Sequence, residues 1–309
     1  MKIAVIGTGG VGGYFGGKLA LAGNDVTFYA RGPHLEAIKR NGLTVKSPTG
    51  DFVINPANAT NTITEMPVVD LIIMSVKAWQ VKDILPMLHH ISNKDTIILP
   101  LQNGVLAAEE IKQELPEAKV IGGLCKIFSK IDLPGIIKHV GVEPQIIFGT
   151  LDNQENASLT GLKNIFDEAG INSVLAADVQ VELWKKFIFI CTGGLIALTR
   201  ANYGQLRGNE ETRELLKKLM YEIYEVAQKS GVAVEEEYIE HTLRFIDEFP
   251  AEATTSMARD IWAGNPSELD YQNGTVIQLA KKFGVATPVN NFVYQCLLPQ
   301  ELAARPAGK

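Results

Sequence analysis

The chain is 309 residues long, with 35 acidic and 29 basic side chains, a net charge of −6, 46% hydrophobic residues and 21% charged. That length accommodates two domains with substantial cores, and the acidic balance argues against nucleic acid or an anionic membrane as partner. Cys125, Cys191 and Cys296 are widely spaced and form no CxxC or Cys/His cluster, so no metal site is expected and the thiols read as reduced, buried and cytoplasmic.

The sequence enters directly on a short apolar strand with no basic leader ahead of it, and no apolar run reaches the length of a bilayer. The strand ends in Gly7-Thr8-Gly9-Gly10-Val11-Gly12, after which Tyr14 to Ala22 has a helical pattern stopped by Gly23. In a strand–loop–helix of this kind the first glycine permits the tight turn, the second lets backbone approach a pyrophosphate, and the third lets helix pack on strand. The anion then rests on the helix N-terminus, so Gly7, Thr8, Gly9, Gly10, Val11 and Gly12 are the candidate phosphate loop. Asp25–Tyr29 follows as a second strand and completes a βαβ unit.

The end of that second strand chooses the dinucleotide. An acid there would bind a ribose 2′-OH, but the chain has Arg31 and no acid until Glu36, which favours a 2′-phosphate and hence NADP(H). A solvated loop arginine is the alternative.

Further along, Leu43–Val45 and Phe52–Ile54 form a hairpin around Ser47-Pro48-Thr49-Gly50, and Val68–Val76 is a buried strand of the parallel type. Residues just past strand ends line the ligand crevice of a doubly wound sheet, which makes Lys77 and Gln80 cofactor candidates, with a solvated loop as the alternative. The strand Thr96–Leu101 ends likewise at Asn103, which can serve a cofactor carboxamide or a substrate, or form an Asx-turn before Gly104. Lys119–Gly123 begins another strand, Ile136–Val140 and Gln145–Gly149 suggest an antiparallel pair, and His139 reads as structural.

From Asp178 helical periodicity takes over, in the runs 179–199, 211–230, 235–249, 255–262, 267–282 and 290–298. The expected fold is therefore α/β, with a Rossmann-like dinucleotide-binding domain over 1–177 followed by an all-helical domain over 178–309. Lys185 and Lys186 are neighbours about 100° apart on their helix, so they cannot share one cleft. Ser267-x-x-Asp270 resembles a capping box, which puts Glu268 and Asp270 in a first turn, where carboxylates ordinarily complement the helix dipole.

Taken together, Gly7-x-Gly9-x-x-Gly12, Arg31, Val76-Lys77-Ala78-Trp79-Gln80-Val81, Gln102-Asn103-Gly104, Glu182-Leu183-Trp184-x-Lys186, Ser256-Met257-x-x-Asp260 and Glu268-x-Asp270-Tyr271-x-Asn273-Gly274 resemble the ketopantoate reductase family in order and spacing. The resemblance covers nearly the whole chain. It implies a two-domain, 6-phosphogluconate-dehydrogenase-like enzyme that reduces 2-dehydropantoate to pantoate with NADPH, in pantothenate and coenzyme A synthesis. It assigns Lys186 as general acid, Glu268 as its carboxylate companion, and Asn103 and Ser256 as substrate contacts, with Lys186 also placed to hold the 2-oxo acid carboxylate.

The family pattern also places asparagines one and two helical turns after the lysine, where this chain has Ile190 and Gly194. An isoleucine cannot make the hydrogen bonds of an asparagine, and sites built to bond polar groups discriminate strongly. An NADPH-dependent reductase of a different 2-oxo acid or ketone is thus the nearest alternative, and a non-catalytic NADP-binding sensor a more distant one. A homodimer through Trp262 or the terminal helix is left open.

Overall fold

The computed structural model describes residues 1–154 and 156–305. Chain contacts divide it into two compact units, one of Met1–Gln102 with Leu106–Glu182, the other of Asn103–Val105 with the chain from Leu183 onward.

The first unit is built on β1 (Lys2–Ile6), α1 (Gly10–Leu21), β2 (Asp25–Tyr29), α2 (Gly32–Asn41), β3 (Leu43–Lys46), β4 (Phe52–Ile54), β5 (Asn58–Thr60) and β6 (Leu71–Met74). It continues through α3 (Val81–Leu88), β7 (Ile97–Pro100), α4 (Ala107–Glu114), β8 (Lys119–Val120), β9 (Gly122–Leu133), β10 (Ile136–Gly149), α5 (Ala157–Glu168) and β11 (Asn172–Leu175). Six strands form a sheet in the order β5-β2-β1-β6-β7-β8, every neighbouring pair parallel. Parallel sheets bury both faces, and β1 shows it: Ile3 and Val5 face one core while Ala4 and Ile6 face the other. The Rossmann-like expectation matches this sheet.

A second sheet runs β11-β10-β3-β4, with β9 also paired to β10. The β3–β4 hairpin is antiparallel as its sequence suggests. The suggested pair Ile136–Val140 and Gln145–Gly149 is instead one strand, β10, kinked where its register shifts between Val140 and Gln145. Its antiparallel partner is β9, whose alternating run Cys125 to Leu133 spans a stretch not assigned from the sequence. His139 is buried on β10, its Nδ1 2.8 Å from Ser47 Oγ and its Nε2 2.9 Å from the Val142 carbonyl, a structural setting.

The second unit is helical: α6 (Val179–Ile190) from Leu183 onward, α7 (Gly193–Thr199), α8 (Tyr203–Arg207), α9 (Glu210–Lys229), α10 (Glu237–Glu248), α11 (Ser256–Trp262), a π-helical turn at Asp270–Gly274, α12 (Thr275–Phe283) and α13 (Pro288–Ala304). The single helix expected over 179–199 is broken. Thr192 tightens the chain by donating from both its N–H and its hydroxyl to the Phe189 carbonyl, and Gly194 N–H then returns to the Cys191 carbonyl. Gly193 and Gly194 let α7 approach its neighbours closely, and Trp262 Nε1 donates to the Ala197 carbonyl at 3.0 Å.

The capping box expected at Ser267 is also absent. Its hydroxyl accepts from Leu269 N–H rather than from Asp270 and donates to the buried Glu301 carboxylate. Cys125 and Cys191 are buried as expected, but Cys296 is exposed on α13. Among the described residues no helix is long and apolar enough to cross a membrane, and no group of His, Cys, Asp and Glu is arranged to hold a metal ion.

Candidate functional site

The phosphate loop sits between β1 and α1 and owes its shape to contacts that exclude side chains. Gly7 has φ +106°, and a Cβ there would fall 2.6 Å from the Val76 backbone nitrogen. At Gly12 the added carbon would meet the Gly7 carbonyl and Ser75 Oγ, so only glycine lets α1 seat on the strand ends. Gly9 has nothing within 4 Å of the Cβ position, which leaves its flank open, as close approach by a phosphate requires. Gly10 carries a different constraint: its added carbon would lie 2.5 Å from the Ser129 carbonyl, so this glycine packs α1 against β9. Val11, in the first turn of α1, packs partly buried against the core.

Thr8 faces inward. Its N–H and its hydroxyl both donate to the Tyr29 carbonyl, at 3.0 and 2.9 Å, tying the loop to the end of β2. Arg31 is exposed two residues on, its guanidinium 6.0 Å from the Tyr29 ring centroid. His34, not among the sequence candidates, links the loop to the rest of the unit. Its Nε2 lies 2.8 Å from the Thr8 carbonyl, and Gly135 N–H donates to its Nδ1 at 3.0 Å. Burial lowers its pKa below the ordinary value, against the opposing pull of the Thr8 carbonyl. The one available signal was its place in the helical turn that follows Arg31.

Past β6, Lys77 precedes and Gln80 ends a 3₁₀ turn (Ala78–Gln80) that leads into α3. The Gln80 side-chain carbonyl accepts from Lys77 N–H at 3.2 Å, so part of that amide is used to close the turn. Both side chains are half-buried.

The chain leaving β7 passes into the second unit for three residues, where Val105 packs on the helical core. There two sequence candidates meet: Asn103 Nδ2 donates to Glu268 Oε2 at 2.9 Å, across 165 residues of chain. Glu268 is buried and directly precedes Leu269 and the π-helical turn. Lys186 is half-buried on α6, and Lys185 turns elsewhere, its Nζ 5.6 Å from the Tyr238 ring centroid on α10. Ser256 is exposed at the first position of α11, which Thr255 caps.

The surroundings of Glu268 are pinned by side chains from α13. Glu301 accepts from Ser267 N–H and from Arg305, whose guanidinium also reaches Asp270 at 2.7 Å, while Tyr294 donates to the other Asp270 oxygen at 2.8 Å. Burial first, then the Asp270 carboxylate, pushes the Tyr294 phenol up to about 12. Asp270 is therefore an ion-pair partner rather than a complement to a helix dipole.

Asn273, on the π-helical turn, is fully buried. Its Nδ2 donates to the Cys191 carbonyl at the α6–α7 break and to Asn290 Oδ1. A Cβ at Gly194 would lie 2.5 Å from Asn273 Oδ1, so the Asn273 amide occupies the space that a side chain at 194 would need.

A parallel dinucleotide-type sheet with a glycine-shaped loop, followed by a helical unit, is the architecture of a two-domain dinucleotide-dependent oxidoreductase, and comparison with known proteins makes that class an oxidoreductase acting on a CH–OH group. The family model for ketopantoate reductase PanE/ApbA matches residues 3–153, and that for its C-terminal part matches 178–301. The chain belongs to the ketopantoate reductase family.

It is 32% identical over 301 residues to a 2-dehydropantoate 2-reductase of Nostoc sp., covering 96% of this chain and 94% of that one. It is 30% identical over 299 residues to an uncharacterized oxidoreductase of Bacillus subtilis, covering 95% and 97%. Among solved structures, a 2-dehydropantoate 2-reductase from Geobacter metallireducens superposes with a TM-score of 0.91 at 27% identity, covering 97% and 99%. A D-mandelate dehydrogenase in ternary complex with NADH and anilino(oxo)acetate superposes with a TM-score of 0.89 at 26% identity, covering 98% and 99%.

Proposed function

We propose that the protein reduces a 2-oxo acid with NADPH, and that the acid is 2-dehydropantoate, yielding pantoate. The observation that carries the reading is the 2.9 Å hydrogen bond between Asn103 and Glu268, which brings two of the motif residues together within the second unit. The glycine-shaped loop, open at Gly9, fits a pyrophosphate, and Gly7 to Gly12 would hold it with Arg31 forked on the 2′-phosphate and Lys77, Gln80 and Asn103 along the remainder. NADPH, when bound there, supplies the hydride for the ketone carbon.

The residues of the chain manage the oxygen. Lys186, as an ammonium, stabilises negative charge as it develops on the carbonyl oxygen and passes its proton to that atom, a contribution of roughly 10²–10⁴ in rate. Glu268, kept in place by Asn103, accepts from a substrate hydroxyl or from Lys186. Ser256 donates to the substrate carboxylate. The two buried, unbridged thiols suit a cytoplasmic enzyme.

A second reading is favoured by Ile190 and Gly194. With an isoleucine at one expected asparagine position and the other filled from Asn273, a 2-oxo acid with a less polar substituent than ketopantoate is the alternative substrate. The D-mandelate dehydrogenase likeness accords with it. The deciding experiment follows NADPH and NADH oxidation with 2-dehydropantoate beside a panel of aliphatic and aromatic 2-oxo acids, for the wild type and Lys186→Ala. Turnover with 2-dehydropantoate that collapses in Lys186→Ala supports the first reading, and turnover confined to another acid supports the second. Near-full activity of Lys186→Ala removes the general-acid role.

A further inference from the structure

We propose that His34 is a positioning residue of the dinucleotide site: a two-sided clamp that fixes the Thr8–Gly9 peptide of the phosphate loop. The inference rests on the reading of Gly7 to Gly12 as that loop.

The hydrogen bonds define the state of the ring. Gly135 N–H can only donate, so Nδ1, 3.0 Å away, is the unprotonated nitrogen. The Thr8 carbonyl can only accept, so Nε2, 2.8 Å away, carries the proton. The two bonds demand the same neutral tautomer, and burial of the ring favours that neutral form.

Both ends of the clamp are anchored. Gly135 has φ +80°, its carbonyl accepts from Thr44 N–H at 2.9 Å, and a Cβ there would meet the Ala37 methyl at 3.1 Å. Thr8 is held from its other side by two bonds to the Tyr29 carbonyl. A trans peptide is planar, with its carbonyl and N–H directed oppositely. Drawing the Thr8 carbonyl towards His34 therefore aims the Gly9 N–H the other way, and Gly9 is the loop residue whose flank is open. His34 also stands in the first turn of α2, with Arg31 at the N-cap position, so one side chain ties the Arg31 corner to the loop.

The test compares His34→Ala, His34→Asn and His34→Gln in fluorescence titrations with NADPH and with NADH, below the melting temperature of each variant. Asparagine restores an acceptor towards Gly135 only, whereas glutamine carries a donor out to the Thr8 carbonyl. Losing the loop-facing bond should weaken both dinucleotides alike, roughly 5- to 20-fold in His34→Ala and His34→Asn, while His34→Gln stays within about threefold. Arg31→Ala, by contrast, should weaken NADPH alone. Wild-type affinity in His34→Ala overturns the clamp, as does a glutamine variant as weak as the asparagine one, or a loss confined to NADPH. If the alanine variant fails to fold, the glutamine–asparagine comparison decides. A wild-type protein that binds neither dinucleotide refutes the loop reading itself.

Discussion

Placing asparagine at position 194 should damage the protein. A side chain there begins with a Cβ 2.5 Å from Asn273 Oδ1 and 2.6 Å from Val293 Cγ1, and both of those residues are fully buried. Neither can simply withdraw, since Asn273 is tied through Nδ2 to the Cys191 carbonyl at 3.2 Å and to Asn290 Oδ1 at 3.0 Å, and Val293 lies in the buried face of α13. Overpacking of this kind costs about 1–3 kcal/mol, and the gain from replacing a helical glycine offsets only about 0.3 kcal/mol. The remaining 0.7–2.7 kcal/mol, roughly, should lower the melting temperature of Gly194→Asn in the 309-residue chain by about 1–4 °C. Scanning calorimetry reads the shift directly. In an Asn273→Ala background the same substitution should cost less, because the colliding oxygen is gone. A Gly194→Asn protein that melts with the wild type, or above it, refutes this explanation of the glycine.

Arg31→Ala should raise the Kd for NADPH by about tenfold or more and leave that for NADH unchanged, the expected loss of one charge-assisted phosphate contact; equal effects on both would remove the 2′-phosphate assignment. Glu222 is buried and accepts from Val289 N–H, Asn290 N–H and Asn290 Nδ2 at the start of α13, so Glu222→Ala should lower the unfolding free energy by about 2–4 kcal/mol in urea titrations, with Glu222→Gln retaining part of it. A change under about 0.5 kcal/mol would be the size of an ordinary surface substitution and would discount the cap. Because burial holds the His34 pKa below its ordinary 6.5, the unfolded chain takes up that proton first on acidification. His34's share of stability is thus fully present above pH 6.5 and is lost as the pH falls through its lowered folded value; His34→Gln should flatten that part of a melting-temperature profile, and an unchanged profile would contradict it.

What the sequence made legible were features whose cause is local. Gly7 and Gly12 announced a turn and a close approach because no other residue fits there, and the β3–β4 hairpin followed from a turn between two short apolar runs. The hidden features depend on partners far along the chain. The helix over 179–199 shows continuous periodicity, and its break is fixed partly by Asn273, 82 residues beyond the carbonyl it holds. Ser267 looked like a local cap because its true partner, Glu301, lies 34 residues away. Gly10 matched a phosphate motif, yet the Ser129 carbonyl on β9 also explains it. His34 gave almost no sign, since a histidine in a helical first turn is unremarkable until Gly135 arrives from 101 residues away. Asn103 and Glu268 were each named from motifs, but only the fold brings their side chains to 2.9 Å.

The dependence of Ser267 on Glu301, and of Asp270 on Arg305, has a consequence in time. A ribosome adding roughly 5–20 residues per second needs about 2–7 s to travel from Ser267 to Glu301. Throughout that interval the turn carrying Glu268 is already synthesised, while the carboxylate and guanidinium that fix it do not yet exist. The Glu268 turn is therefore among the last parts of the molecule to set during synthesis, and a ribosome that stalls before Glu301 leaves a nascent chain whose N-terminal sheet is complete but whose acidic motif is unsupported.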